Sequence, residues 1–175
     1  MYYGTHYESP VGDIYLVGDE ESIVGLWIGE QRFRTDAMPD NVVEGVDVLA
    51  LRRGIGWLDD YFAGKRPEIS GLRLAPVGGK FRQIVWQILM EIPYGELTTY
   101  GEVAKEAARR MGKERMSAQA VGGAVGHNPI SIIIPCHRVV GANGNLTGYA
   151  GGIDKKIQLL THEGVDMTKL FMPKH

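Results

Sequence analysis

The sequence predicts an α/β protein of two domains: a small sheet packed with one helix over residues 1–76, and a mainly helical domain over residues 77–175. Three observations carry the prediction. Residues 2–28 hold β-rich runs with turn residues between them. A stretch rich in proline and glycine, Pro67 to Gly79, interrupts that pattern in the manner of a linker. Beyond it, apolar residues recur at helical spacing.

In chain order, Tyr2 to Tyr7 alternates weakly, and Gly12–Val17 and Ser22–Ile28 are β-rich around the turn Gly18-Asp19-Glu20-Glu21, which together read as a meander. Arg32 to Val46 is mixed and gives little signal. Asp47 to Ala63 carries Leu49, Ile55, Leu58 and Phe62 on one helical face and ends near Gly64. Lys80 to Ile92 places Phe81, Ile84, Val85, Ile88 and Leu89 at helical spacing and is closed by Pro93. Thr99 can cap a helix from Tyr100 to Met111, and Ser117 a second from Ala118 to Val125. Two short helices around a tight basic turn, residues 112–116, read as a helix-turn-helix. Ile130 to Ile134 is a stiff β-branched stretch, Gly141 to Gly152 a loop, and Asp154 to Gly164 a last amphipathic helix.

Composition narrows the function classes. A hydrophobic content of 44% with 23% charged residues is ordinary for a soluble globular chain. A single cysteine excludes an internal disulfide and any CxxC site, and the reading is a reducing compartment: cytoplasmic, or nuclear in a eukaryote. No apolar run spans a membrane, and the N-terminal residues lack the features of a signal peptide. The net charge of −2 is split unevenly. Residues 1–60 hold four Lys/Arg against twelve Asp/Glu, and residues 61–175 hold fifteen against nine, giving −8 and +6. The basic half can meet a polyanion.

The one cysteine stands in Pro135-Cys136-His137-Arg138-Val139. A lone cysteine is ordinarily a small core residue, but here both following side chains can be cationic. A nearby positive charge favours the thiolate, the nucleophilic form. The helix Ala118–Val125 is unusual in another way: almost every side chain is tiny, and Gly122 and Gly123 each cost roughly 1 kcal/mol of helix propensity. Such a smooth face suits close approach, either to a DNA groove or to another helix, and the residues alone leave both open. Arg109, Arg110, Lys113 and Arg115 lie just before it, placed to meet phosphates.

Five ordered motifs resemble one family. These are Pro135 to Val139, Ile92-Pro93-Tyr94-Gly95-Glu96-Leu97-Thr98-Thr99-Tyr100-Gly101, Ala120-Val121-Gly122 with Asn128-Pro129, Gly148-Tyr149-Ala150-Gly151-Gly152, and His162-Glu163-Gly164. Together they are similar to the O6-alkylguanine-DNA alkyltransferases, also called methylated-DNA–protein-cysteine methyltransferases. The resemblance is strongest over residues 81–164. It implies a ribonuclease-H-like N-terminal domain without its own active site, and direct reversal of alkyl damage in double-stranded DNA by a monomer. O6-alkylguanine is the implied substrate, with O4-alkylthymine as a further candidate.

The resemblance also implies roles. Cys136 takes the alkyl group once and irreversibly, with no cofactor and no metal. His137 activates it, and Glu163 orients and charges that His, so the two together should lower the Cys136 pKa. Tyr100 donates to the flipped base, and Asn128 ties the helix-turn-helix to the active-site loop. Val139, Tyr149, Ala150 and Gly151 wall the base pocket. Gln119, Ala120, Gly122, Arg109, Arg110, Arg115 and Arg138 form the DNA-binding set. Two positions depart from the family pattern: Gln119 stands where Arg is common, which removes a charge and stacking surface, and Ala150 stands where some members carry Ser. Two other classes stay open beside this reading. One is a non-catalytic protein that marks alkyl lesions for excision repair, which would lack the acceptor Cys. The other is a cysteine hydrolase that turns over.

Overall fold

The computed structural model describes residues 1–29, 34–45 and 47–172. Its contacts divide the chain into two units, Met1–Val77 with Pro129–Ile133, and Gly78–Asn128 with Ile134 onward.

In the first unit the meander forms as β1 (Tyr3–Ser9), β2 (Gly12–Gly18) and β3 (Ile23–Ile28), antiparallel in sequence. The turn between β2 and β3 follows from Asp19, whose Oδ1 accepts the backbone N–H groups of Glu21 and Ser22 at 2.9 and 2.7 Å. After a one-turn helix, α1 (Arg34–Ala37), the short β4 (Val43–Glu44) pairs parallel with β1, giving the order β3-β2-β1-β4. Arg32, Phe33 and Val46, at the ends of the weak stretch in the sequence, lie outside the described residues. The helix expected from Asp47 is α2 (Leu49–Phe62), which packs on β1, β2 and β3. Gly54 permits this approach: a Cβ there would stand 2.8 Å from Leu16 Cδ2. Tyr15, Val17, Val24 and Trp27 form a cluster with Tyr2, Met38 and Val42 around them. With α2 packed on the sheet and this cluster beside it, β3 is buried at every residue, which is why its sequence is continuously apolar and does not alternate.

The proline- and glycine-rich stretch is more ordered than a linker. Arg73 O accepts from Ile23 N–H, and Ile23 O from Ala75 N–H, both at 2.8 Å, so the segment runs along β3. Pro129–Ile133 does the same on the other side of the unit's sequence: Pro129 O accepts from Leu26 N–H at 2.8 Å and Leu26 O from Ser131 N–H at 3.0 Å. The stiff β-branched stretch is therefore one bridge followed by a turn. Ile132 makes that turn at φ 69°, in the left-handed region, where a buried β-branched residue is strained by roughly 1–3 kcal/mol.

The second unit is helical. It contains α3 (Lys80–Met90), the two-residue β5 (Thr98–Thr99), α4 (Tyr100–Arg110), α5 (Ala118–Gly126), β6 (Val139–Val140) and α6 (Ile153–His162). Both expected caps form: Thr99 accepts from Glu102 N–H and Ser117 from Ala120 N–H. The apolar face of α3 closes over α4 and α5, and the buried Trp86 donates from Nε1 to Ala124 O at 2.8 Å. Parallel pairing of β5 with β6, Thr98 to Val139 and Thr99 to Val140, brings the start of α4 beside the turn that carries Cys136. Val140, Leu146 and Leu160 form a core with Leu97, Ile157 and Leu170 packed around it. The chain after α6 returns to the loop, where Asn145 and Phe171 form a parallel bridge. Among the described residues no helix is long and apolar enough to cross a membrane.

Candidate active site

Cys136 opens a 3-10 turn, Cys136–Arg138, and is 4% exposed. The Asn128 amide, just past α5, donates from Nδ2 to Ile134 O at 2.8 Å and so fastens the end of the helix-turn-helix to the approach of the nucleophile. Burial pushes the Cys136 thiol pKa up. A hydrogen bond from Asn128, the charge of Lys156 and a hydrogen bond from Tyr149 work in the other direction and favour the thiolate.

His137 is fully buried, and its Nε2 lies 2.6 Å from Glu163 Oε2. Glu163 caps the C-terminus of α6. Its Oε1 accepts from Gly95 N–H at 3.0 Å and from Arg138 Nε at 2.8 Å, and its Oε2 accepts from Arg138 Nη2 at 3.1 Å. Burial alone would raise the Glu163 pKa; the hydrogen bonds from His137 and Arg138 outweigh it and hold the carboxyl well below the usual range. Burial lowers the His137 pKa, helped by the charges of Arg138 and Lys156 and opposed by Glu163. An ionised carboxylate only accepts, so the neutral imidazole must carry its proton on Nε2. Nδ1 then offers a lone pair, and it is buried with no hydrogen-bond partner among the described residues.

Tyr100, at the start of α4, donates its phenol O–H toward Thr147 O and Gly148 O, both at 3.2 Å. Burial, with a contribution from Cys136, pushes its pKa up to about 12, so it stays protonated. Val139 and Tyr149 are buried, and Ala150 and Gly151 follow in a turn closed by Gly152 N–H on Tyr149 O at 3.0 Å. The structure thus brings Cys136, His137, Glu163, Tyr100, Asn128, Val139 and Tyr149 together within one unit.

The helix-turn-helix presents a different surface. On α5, Val121, Ala124 and Val125 face the core, while Gln119, Ala120 and Gly123 are exposed and Gly122 is half-buried. A Cβ built at Gly122 or Gly123 would meet nothing within 4 Å, so no other helix among the described residues uses the close approach they allow. Beside α5 runs a groove of about 610 Å³ lined by Lys105, Arg109, Lys113, Arg115 and Ala118.

The comparisons with known proteins fall on both units. Residues 1–76 match the ribonuclease-like domain of 6-O-methylguanine DNA methyltransferase, and residues 80–165 match its DNA binding domain. The chain belongs to the 6-O-methylguanine DNA methyltransferase family. It is 46% identical to a methylated-DNA–protein-cysteine methyltransferase of Methanosarcina acetivorans, over 94% of this chain and 99% of that one. A protein of the same name from Haemophilus influenzae is 41% identical, over 94% and 87% of the two chains. Among solved structures, Mycobacterium tuberculosis OGT in complex with DNA superimposes with a TM-score of 0.76 at 40% identity, covering 93% of this chain and 91% of that one.

The structure departs from two expectations for this methyltransferase and qualifies a third. Arg138, assigned to DNA, is only 7% exposed: its guanidinium is held by Glu163 and by Ile92 O at 2.7 Å, and it lies 5.7 Å from the centre of the Tyr94 ring. Arg109 and Arg110, expected at phosphates, each hold a surface ion pair that a phosphate can replace, Arg109 with Glu106 at 2.7 Å and Arg110 with Glu91 at 2.7 Å and Glu106 at 3.0 Å. Arg115 is exposed with no carboxylate partner among the described residues. The second departure is the cysteine, whose pKa burial raises where a lowering was expected; the groups that favour its ionisation are Asn128, Lys156 and Tyr149, because His137 and Arg138 direct their donors at Glu163. Sequence reasoning missed Lys156, whose ammonium is buried beside the site. Its signal was available: Lys156 shares one helical stripe with Leu159, Leu160 and Glu163, where a solvated lysine does not belong.

Proposed function

We propose that this protein repairs DNA by direct reversal, moving the alkyl group of O6-alkylguanine onto Cys136 once per molecule. The Cys136 proton passes through a bridging water to Nδ1 of His137, whose Nε2–H stays on the Glu163 carboxylate. The sulfur attacks the alkyl carbon; the S–C bond forms as the O6–C bond breaks, and the electron pair goes to the base. Tyr100 gives the departing guanine a proton and regains one from the imidazolium. The sum is thiol plus alkylguanine giving thioether plus guanine. A buried sulfur cannot reach a base inside a duplex, so the nucleotide must be flipped out. The exposed face of α5, with Gln119 on it, is the surface that would enter the groove. The partner is duplex DNA bearing the alkylated base, bound by a monomer in a reducing compartment, the cytoplasm or a nucleus.

The observation that carries this reading is the Glu163–His137 pair beside the buried sulfur, in a chain whose relatives are named for cysteine methylation. Intact-mass measurement after incubation with an O6-methylguanine duplex tests it. One methyl group is expected, mapped to Cys136, and none in Cys136→Ser. Tight binding without transfer would favour the lesion-marking alternative, and turnover beyond one equivalent the hydrolase.

A further inference from the structure

The chemistry above leaves one buried ionisable group without a role. Lys156 on α6 is fully buried, and no carboxylate among the described residues pairs with it. A buried, unpaired ammonium is costly, so its retention calls for a function. Two of its three N–H donors are engaged, on Val139 O at 2.5 Å and on Thr147 O at 3.0 Å. These carbonyls belong to the two limbs of the pocket loop. Val139 directly follows the Cys136–Arg138 turn, and Thr147 precedes Gly148 and Tyr149. Thr147 O also accepts from Tyr100, so one carbonyl joins α4, α6 and the loop.

Lys156 and Cys136 each stabilise the other's charged form. Burial holds the ammonium pKa down to about 8, and Cys136 ionisation acts to raise it. The other titratable groups facing the ammonium are His137, whose protonation it disfavours, and Tyr100 through the shared carbonyl. On its own helix, Glu163 is occupied by His137 and Arg138, and Asp154 is exposed in the first turn.

We propose that Lys156 is a positioning residue for alkyl transfer: its ammonium joins the two limbs of the pocket loop and is the counter-charge against which the Cys136 thiolate forms. The inference rests on Cys136 being the alkyl acceptor. Its test therefore uses iodoacetamide, which needs neither DNA nor a flipped base. The rate of Cys136 alkylation is followed against pH in the wild type, Lys156→Gln and Lys156→Arg. Gln keeps N–H donors for both carbonyls but no charge, and Arg keeps the charge.

In Lys156→Gln the midpoint should rise by about one pH unit or more, and the rate near neutrality should fall about tenfold. Lys156→Arg should recover part of the loss. An unmoved profile in a folded Lys156→Gln protein overturns the proposal. A second measurement needs no variant at Lys156: the side-chain nitrogen of Lys156 is titrated by NMR in the wild type and in Cys136→Ser. The ammonium should hold its proton to higher pH where the sulfur is present, and identical titrations would overturn the proposal. A shifted iodoacetamide profile without transfer from DNA would fault the proposed function and leave only the charge coupling of Lys156 to Cys136 standing.

Discussion

Glu163 is the residue on which the site turns, because one carboxylate accepts from Gly95, Arg138 and His137 at once. Its folded pKa lies well below the ordinary value, so its contribution to stability is fully present above about pH 4.3 and is lost as the pH falls toward the folded value. His137 adds to the same acid sensitivity. Its folded pKa is below the ordinary 6.5, so the unfolded chain takes up its proton first and stability declines as the pH drops below about 6.5. Thermal melts from about pH 7 to about pH 3 should show both stages. Glu163→Gln leaves the Arg138 guanidinium buried and unpaired, which should cost about 3–5 kcal/mol, flatten the lower stage and slow methyl transfer. A variant with wild-type melting temperature and the same acid profile would remove Glu163 from this role. The sequence showed the Cys, His and Glu through their motifs. Adjacency misled at Arg138, because two consecutive side chains in a 3-10 turn both reach the same carboxylate, and nothing local announces burial.

At the scale of elements, α5 sets helix propensity against binding. Gly122 and Gly123 lie in helical backbone with open space where a Cβ would stand. Gly122→Ala and Gly123→Ala should each stabilise the protein by about 0.5–1 kcal/mol. If the smooth face enters a groove, the same methyl groups should weaken duplex DNA binding while leaving Cys136 alkylation by iodoacetamide unchanged. Raised melting temperature with undiminished affinity would place that face away from DNA. The helices and caps were legible because capping is local: Thr99 and Ser117 each meet a backbone N–H three residues on. The pairing of β5 with β6 was not legible. It is two residues long and joins positions about forty apart, too short for any periodicity.

At the scale of the whole molecule, the basic excess after residue 60 predicts DNA affinity that falls linearly on a log–log salt plot. Arg115→Ala should reduce the slope by about one. Arg109→Ala and Arg110→Ala should reduce it less, because Glu106 and Glu91 already neutralise them. Equal effects of all three would mean that those ion pairs open on DNA. The two-domain organisation was readable in the linker composition; the excursion of Pro129–Ile133 into the first unit was not, since its signal is a backbone pairing with Leu26 and not a side-chain pattern. That excursion orders events at the ribosome. Synthesis runs from the N-terminus, yet the strand edge at Leu26 waits for a segment translated some hundred residues later. Cys136 waits as well, because Lys156 and Glu163 emerge after it. A nascent chain therefore carries its nucleophile before the carboxylate and the ammonium that complete its site.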